Sequence, residues 1–428
     1  MKSSDKENAT ARPFAWLRRG YRLPLLLALL AMLIGAAVHP NTAHWFAPDY
    51  WRAWLRLGGA MQLVRNYYVD PEQATYPAQT ERALSEMLGA LDPYSGYLPP
   101  EHFQDFQDST QQRYVGVGIQ IESLRQRVTI TEVFADSPAV AAGLQAGDQI
   151  VEVDGQDTRG YTLTEMVEAL RGEEGTEVEM TVKRPAKGER VTKTLQRKLV
   201  HFPRVRDVRV DDEIGYLRLT QFGAQTPEEF AAALDQLREG GARGLIVDLR
   251  GNPGGLLLAA VALADAFLPA GKVVVTTRGR VGEHVNPTEH PASVDWPLVI
   301  LQDGNSASAS EIFAGTLQDY HRAIVVGEVS TGKGSVQTIF NLDDGSGLRL
   351  TTARYYLPSG RTIQDTGVQP DVTIALTEAE RAVDWARHGP QDLSAEAFVE
   401  RFGIPRPKDR QLEAARAILQ GLLALQDD

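Results

Sequence analysis

The stretch LVILQDGNSASASEIF, from Leu298 to Phe313, passes from an apolar strand through a turn of small residues into a helix carrying Ile312, Phe313, Thr316, Leu317 and Tyr320. Ser308 sits at that strand-to-helix turn. There a hydroxyl faces substrate while the helix N-terminus and the Ala309 N–H face any negative charge developing on a substrate oxygen, a setting for acyl transfer by a serine nucleophile. The same residues also fit a simpler role, because Ser308 followed three residues later by Glu311 is a capping box.

A serine hydroxyl needs a base. None of the eight histidines has the local setting of one: His321 follows in the same helical stretch, and His284 and His290 fall in a loop. Lys333 is better placed, flanked by Gly332 and Gly334, which let the backbone approach another segment closely. To act as a base it must lose its proton near neutral pH, a shift of roughly three units from ~10.4, or about 4 to 5 kcal/mol, which burial in an apolar site supplies. Gln337 offers a carbonyl oxygen that holds an amine in line without charging it. An exposed turn lysine is the competing reading. The segment is also a near miss for a phosphate-binding loop, but Gly334 stands where Ser or Thr should follow the lysine, and Val336 to Leu342 reads as a strand where that loop needs a helix. A third piece, GLIVDLRGNPGG from Gly244, is a buried strand ending in a glycine-rich loop whose exposed amides include Gly254, a candidate second oxyanion donor beside Ala309; a plain strand-ending turn is the alternative.

Elements able to position these residues follow from the patterning. From Ile214 to Leu376 buried strands (Gly244 to Leu249, Leu298 to Leu301, Ala323 to Val326) alternate with helices, the signature of an α/β core. Residues 45–106 read as helical scaffold, with Met61, Val64 and Tyr68 and then Leu84, Met87, Leu88 and Leu91 at helical spacing. Residues 107–200 read as short strands, such as Val115 to Ile121 and Val178 to Val182, around one helix from Leu163 to Leu170. Residues 377–428 read as amphipathic helix, with Leu412, Ala415, Ile418 and Leu422 on a face for the core or for a second subunit.

The 428-residue chain has no cysteine, which excludes disulfides, thiolate metal sites and cysteine nucleophiles, and no metal or cofactor is called for. A net charge of -12 argues against nucleic acid as a partner. Residues 1–22 hold six basic and two acidic side chains, a local charge of +4, before the uncharged run 23–38. That pattern predicts a basic cytoplasmic flank and either a cleaved signal peptide or an inner-membrane anchor, with the remainder in the periplasm.

Taken together, DLRGNPGG (248–255), SASASEIFAG (306–315), TGKGSVQ (331–337) and LTTARYYLPSGRTIQDTGVQPD (350–371) resemble the C-terminal processing peptidases, or tail-specific proteases, over roughly residues 45–376. Four motifs in one order are specific where any one is not. The family's serine and lysine lie 25 residues apart, and 333 minus 308 is 25, which selects Ser308 over Ser306 and Ser310. Thr331, where the family usually has an aromatic, and Leu357, where it often has threonine, depart from the pattern. The resemblance implies a multidomain α/β protein: a ClpP/crotonase-like α/β protease core (201–376), an inserted mainly-β PDZ domain (107–200), and helical N- and C-terminal segments. It implies a Ser308/Lys333 dyad with Gln337, an oxyanion hole of the Gly254 and Ala309 amides, and structural roles for Glu311 and Asp319. YVGVGIQI (114–121) and SPAVAAGLQAGDQIVEVDGQ (137–156) are similar to PDZ sequences. They imply a carboxylate loop at Val117, Gly118 and Ile119, with Arg171 as a sensor of bound tails. The expected partners are protein or peptide substrates with accessible C-termini, an envelope adaptor, and further copies of the chain in a homo-oligomer. The rival readings are a catalytically idle PDZ scaffold and a Ser/Lys hydrolase of small acyl compounds such as β-lactams; the first expects loss of Ser308 or Lys333, and the second leaves the PDZ segment unexplained.

Overall fold

The computed structural model describes residues 47–110, 114–124, 127–184, 188–200, 202–382, 394–402 and 404–427. The expected signal peptide or anchor at 23–38 lies outside them. Among the described residues no helix is long and apolar enough to cross a membrane.

The chain forms two compact units, divided between Met87 and Leu88. The first is helical: helix Pro48–Tyr67 starts with Pro48 in its first turn, where the missing N–H costs nothing, and the Gln79 amide donates to the Met61 carbonyl. Trp54, Leu55 and Leu63 on that helix are exposed.

In the second unit a six-stranded sheet runs in the order Val205–Asp211, Ile214–Leu219, Gly244–Asp248, Leu298–Gln302, Ala323–Gly327, Val372–Thr373. All its neighbours are parallel except the first pair. Parallel strands are covered on both faces, which explains runs such as LIV and LVIL in place of alternation. Leu245, Val247, Leu298 and Ile300 pack under the helices Thr226–Glu239, Leu257–Asp265 and Ala309–Asp319. Ile246, Val299 and Leu301 point the other way, onto Ala415, Leu419 and Leu423 of the C-terminal helix Arg410–Asp427. The amphipathic face read at the C-terminus is thus used by this chain's own sheet.

That helix is also locked by charge. Arg250, 1% exposed, pairs with Asp248 at 2.6 Å and with Asp409 at 2.8 Å, and donates to Gln411 at 3.0 Å. Asp248 also accepts from the buried Tyr216 hydroxyl at 2.8 Å. A charge this deep is tolerated only when each donor and acceptor is matched.

A five-stranded antiparallel sheet stands beside the core, built on the long strand Gly347–Tyr356, which pairs with Ser335–Asn341, Val273–Gly279 and the short Gly96–Leu98. The strand Gly96–Leu98 falls in a region whose periodicity reads as helical scaffold. Its residues join the core because Ser95 and Arg349 bind across the pair: the Thr351 N–H donates to Ser95 Oγ at 3.1 Å and Arg349 Nε to the Tyr94 carbonyl at 2.7 Å.

The inserted domain is an antiparallel sheet of Ile119–Leu124, Arg127–Val133, Gln149–Val153, Glu177–Arg184 and Glu189–Gln196, closed by helix Leu163–Leu170. Met166, Leu170, Ile130 and Met180 form its core. Its entry and exit are clipped together by the pair Tyr114–Gly116 and Lys198–Val200. The single strand expected from Val115 to Ile121 is two, interrupted at Val117 and Gly118, because Gly118 (φ +80°) turns the chain so closely past Ser137 that a Cβ would lie 2.2 Å from the serine Cβ. Arg206 joins this domain to the six-stranded sheet, donating to Glu132 at 2.7 Å with its guanidinium over the Phe134 ring.

Candidate active site

Two backbone turns meet at the carboxyl ends of the central parallel strands. The first follows strand Gly244–Asp248. Its geometry is set by Asn252, fully buried, whose Nδ2 donates to the Leu219 carbonyl at 2.7 Å and whose own carbonyl accepts from Ala307 N–H and Ser310 Oγ, both at 3.0 Å. Asn252 therefore staples the glycine loop to the serine turn. Gly254 (φ +96°) lies so close to that turn that a Cβ would fall 2.5 Å from the Ala307 carbonyl oxygen and 2.8 Å from Ser308 Cβ.

The second turn holds Ser308, at φ 54° and ψ -113°, a strained conformation for a residue with a Cβ. Strain of this kind persists only where surrounding contacts over-determine it, and the Ser308 N–H donates to Glu311 at 2.7 Å. The three serines of the motif separate cleanly. Ser306 Oγ donates to the Leu249 carbonyl at 2.9 Å and Ser310 Oγ to Asn252, so both hydroxyls serve the backbone. Ser308, 8% exposed, opens on a cleft of about 410 Å³ that Lys333, Gln337, Gly254, Arg349 and Tyr355 also line. Burial pushes the Tyr355 phenol up, and its hydrogen bond with Ser308 draws it part of the way back.

Glu311 connects Ser308 and the lysine. Fully buried, its carboxylate accepts from the N–H groups of Ser308 (2.7 Å), Gly332 (2.7 Å) and Lys333 (2.9 Å) and from Ser330 Oγ (2.6 Å). Four donors fill the sites a carboxylate offers. Glu311 thus supplies the carboxylate arm of a capping box, and the same side chain fixes the Lys333 loop. Glu311→Gln turns one acceptor into a donor aimed at N–H groups; since a hydrogen bond to a charged group is worth about 1.5 to 3 kcal/mol, it is expected to lower the unfolding midpoint by several degrees and to cut kcat. Thermal melting beside single-turnover kinetics checks this, and an unchanged midpoint would contradict it.

The glycines around Lys333 do what their spacing suggests. A Cβ on Gly332 (φ +85°) would meet Gly367 N at 3.1 Å, and one on Gly334 would meet Gln364 N at 2.6 Å. Residues Ser335–Asn341 then form a strand, unlike a phosphate-binding loop. The lysine is half-buried, its ammonium over the Tyr94 ring at 5.0 Å. Burial pulls its pKa below the usual lysine range, Arg349 adds to that shift, and Glu311 opposes it. Gln337 Nε2 donates to Ser335 Oγ at 2.9 Å and Thr351 Oγ1 at 3.3 Å, which leaves the carboxamide oxygen for an amine.

Without substrate, two of these groups are engaged elsewhere. The Gly254 N–H donates to Asn252 Oδ1 at 2.9 Å, because an asparagine two residues earlier readily closes such a turn. Of the expected oxyanion pair, Ala309 N–H is at a helix start, where amides lack intrahelical acceptors, while Gly254 N–H is shared with a side chain. Among the described residues, moreover, the Lys333 amine makes no hydrogen bond to Ser308 or Gln337 and rests on Tyr94 instead. Catalytic hydrogen bonds are commonly loose without substrate, so this is a resting arrangement. Tyr94, Tyr355, Arg349 and Asn252 escaped the sequence reading as site residues; Asn252 and Tyr355 lie inside the motifs 248–255 and 350–371, while Tyr94 and Arg349 carried no local signal.

In the inserted domain Val117 and Gly118 lie at the strand interruption and Ile119 opens the next strand. Arg171 caps helix Leu163–Leu170 through its N–H and is exposed. A different arginine holds that helix end: buried Arg197 donates to the Leu170 carbonyl at 3.0 Å and the Ala169 carbonyl at 3.2 Å. Among the described residues no group of three His, Asp or Glu side chains is placed to hold a metal ion.

Comparison with known proteins agrees with this architecture. Peptidase family S41 matches residues 213–374 and the PDZ domain family matches residues 104–183. A carboxy-terminal-processing protease of Bartonella bacilliformis is 36% identical over 390 residues, 86% of this chain and 88% of that protein. A carboxyl-terminal-processing protease of Synechocystis sp. is 39% identical, covering 81% of this chain and 78% of that protein. An S41-type protease structure from Bacteroides fragilis shares the fold at 16% identity, with a TM-score of 0.53 over 85% of this chain and 97% of that one. The Ser308 turn, the glycine loop and the inserted PDZ domain thus sit in a chain that belongs to peptidase family S41, among the carboxy-terminal-processing serine proteases.

Proposed function

We propose that the chain hydrolyses peptide bonds of protein substrates with Ser308 as nucleophile and Lys333 as base, selects them through their C-terminal tails by the PDZ domain, and works in the cell envelope. The observation that carries the reading is the strained, cleft-facing Ser308 sharing its cleft and its Glu311 anchor with a lysine whose pKa is depressed. Neutral Lys333, swung off Tyr94 toward the Gln337 oxygen, takes the Ser308 proton as Oγ adds to the scissile carbonyl. The Ala309 amide, joined by the Gly254 amide once that turns from Asn252 Oδ1, takes up the oxyanion. Collapse expels the amine, which receives the proton from Lys333; water, deprotonated by the same lysine, then releases the acyl group. The interruption at Val117 and Gly118 suits a terminal carboxylate, and an added strand would run along Ile119–Leu124. The +4 flank ahead of residues 23–38 supports export.

The test compares the full chain with its Ser308→Ala form on unfolded proteins bearing free or amidated C-termini. Wild type should cleave and favour free termini, and Ser308→Ala should be inert. Equal cleavage by both would defeat the mechanism; indifference to amidation would defeat only the tail selection.

A further inference from the structure

One cation in the cleft is left over by the chemistry above. Arg349 and Thr351, two apart, share one face of the strand Gly347–Tyr356, and a register shift between Thr351 and Ala353 interrupts the alternation before Tyr355. Arg349 and Tyr355 both line the cleft, and Thr351 accepts from Gln337, which lines it too. Arg349 Nε is held by the Tyr94 carbonyl at 2.7 Å. Its two terminal nitrogens have no acceptor among the described residues. Among the side chains lining the cleft, Lys333 and Arg349 are the cations and there is no aspartate or glutamate, although the chain as a whole carries a charge of -12. A guanidinium anchored at one edge, with its outer edge open, is shaped to grip a carboxylate with two parallel hydrogen bonds.

We propose that Arg349 recognises a substrate carboxylate inside the catalytic cleft, close to the bond that Ser308 attacks. Tyr355 touches Ser308, and Tyr355 is six positions along the strand from Arg349, a span of at most roughly 20 Å. The carboxylate therefore lies within about six extended residues of the scissile bond. It is either the substrate's own C-terminus or an acidic side chain. This site is separate from the PDZ carboxylate loop and would make short carboxylate-ending tails good substrates in their own right. It rests on the catalytic assignment of Ser308 above.

The experiment uses the full chain and matched peptides. One pair ends in a carboxylate or a carboxamide about four residues beyond the scissile bond, a second carries Glu or Gln at that place with an amidated end, and a third has its free or amidated end about twenty residues away. For the first or second pair, wild type should show a KM about tenfold or more lower for the carboxylate member, the scale of a charge-assisted pair. Which pair responds tells terminus from side chain. Arg349→Gln should bring that ratio within about twofold, and Arg349→Lys, which keeps charge but loses the fork, should reduce it in part. The third pair should be insensitive to both substitutions. Taking a ratio within each variant removes any effect of Arg349 on Lys333, and Arg349→Lys serves if the glutamine variant does not fold. A wild-type ratio near one for both near pairs, or a ratio unmoved in the variants, overturns the proposal. Cleavage of these peptides by Ser308→Ala would instead overturn the catalytic assignment.

Discussion

Lys333→Met is expected to lose at least ~10⁴-fold in kcat, since removing a general base from a nucleophile that depends on it costs about as much as removing the nucleophile. Its stability should be held or raised. The lysine is half-buried without a hydrogen bond for its amine, and a methionine of similar length fills that space without a charge to desolvate. Activity and thermal melting together separate this from simple unfolding. The wild-type pH profile carries the matching signature. Only the neutral amine accepts a proton, so kcat/KM rises with pH through the lysine pKa, and burial together with Arg349 places that limb below the ordinary lysine range of ~10.4. Removing the Arg349 charge should move the limb upward. A flat profile, or a Lys333→Met enzyme within tenfold of wild type, would contradict the role.

Gly254→Ala should be nearly as damaging by a different route. The added methyl meets the Ala307 carbonyl oxygen at 2.5 Å, Ser308 Cβ at 2.8 Å and the Ala309 nitrogen at 2.9 Å, all in the serine turn. The residue also sits at φ +96°, where a Cβ adds strain on the order of 1 to 3 kcal/mol. The glycine loop and the serine turn must then separate, which displaces both oxyanion amides. Loss of one such donor costs ~10² to 10³ in kcat, and loss of both should exceed about 10³ with KM changing far less. Burst kinetics with an activated ester would show the acylation step slowed; a variant within threefold of wild type would mean that the loop does not form the oxyanion site.

Much of this site is readable from residue order because its parts are local. A strand, a small-residue turn and a helix place Ser308; paired glycines place Lys333; and the helix Leu163–Leu170 follows from its own apolar spacing. What escapes notice is set by partners distant in sequence. Tyr94 reaches Lys333 only because three residues, Gly96–Leu98, pair with Gly347, Leu348 and Arg349, a match too short to show as a strand pattern. Tyr355 looks like one more aromatic in a strand until it meets Ser308. Asp409 has no local mark of its task, which is to complete the buried shell around Arg250. Ser308 is a case between the two: alone it fits a helix cap as well as a nucleophile, and the structure sets it apart from its neighbours, since Ser306 and Ser310 spend their hydroxyls on backbone carbonyls while Ser308 lines the cleft.

The most direct test of Ser308 activated by Lys333 is covalent. The full chain is treated with a serine-directed fluorophosphonate, which phosphonylates the serine oxygen and expels fluoride, across a pH series, and the adduct is located by peptide mass spectrometry. A single adduct on Ser308 is expected, forming along the same acid limb as peptide hydrolysis and lost in Lys333→Met. An adduct on another residue, or labelling of Ser308 at an undiminished rate in Lys333→Met, would contradict the account.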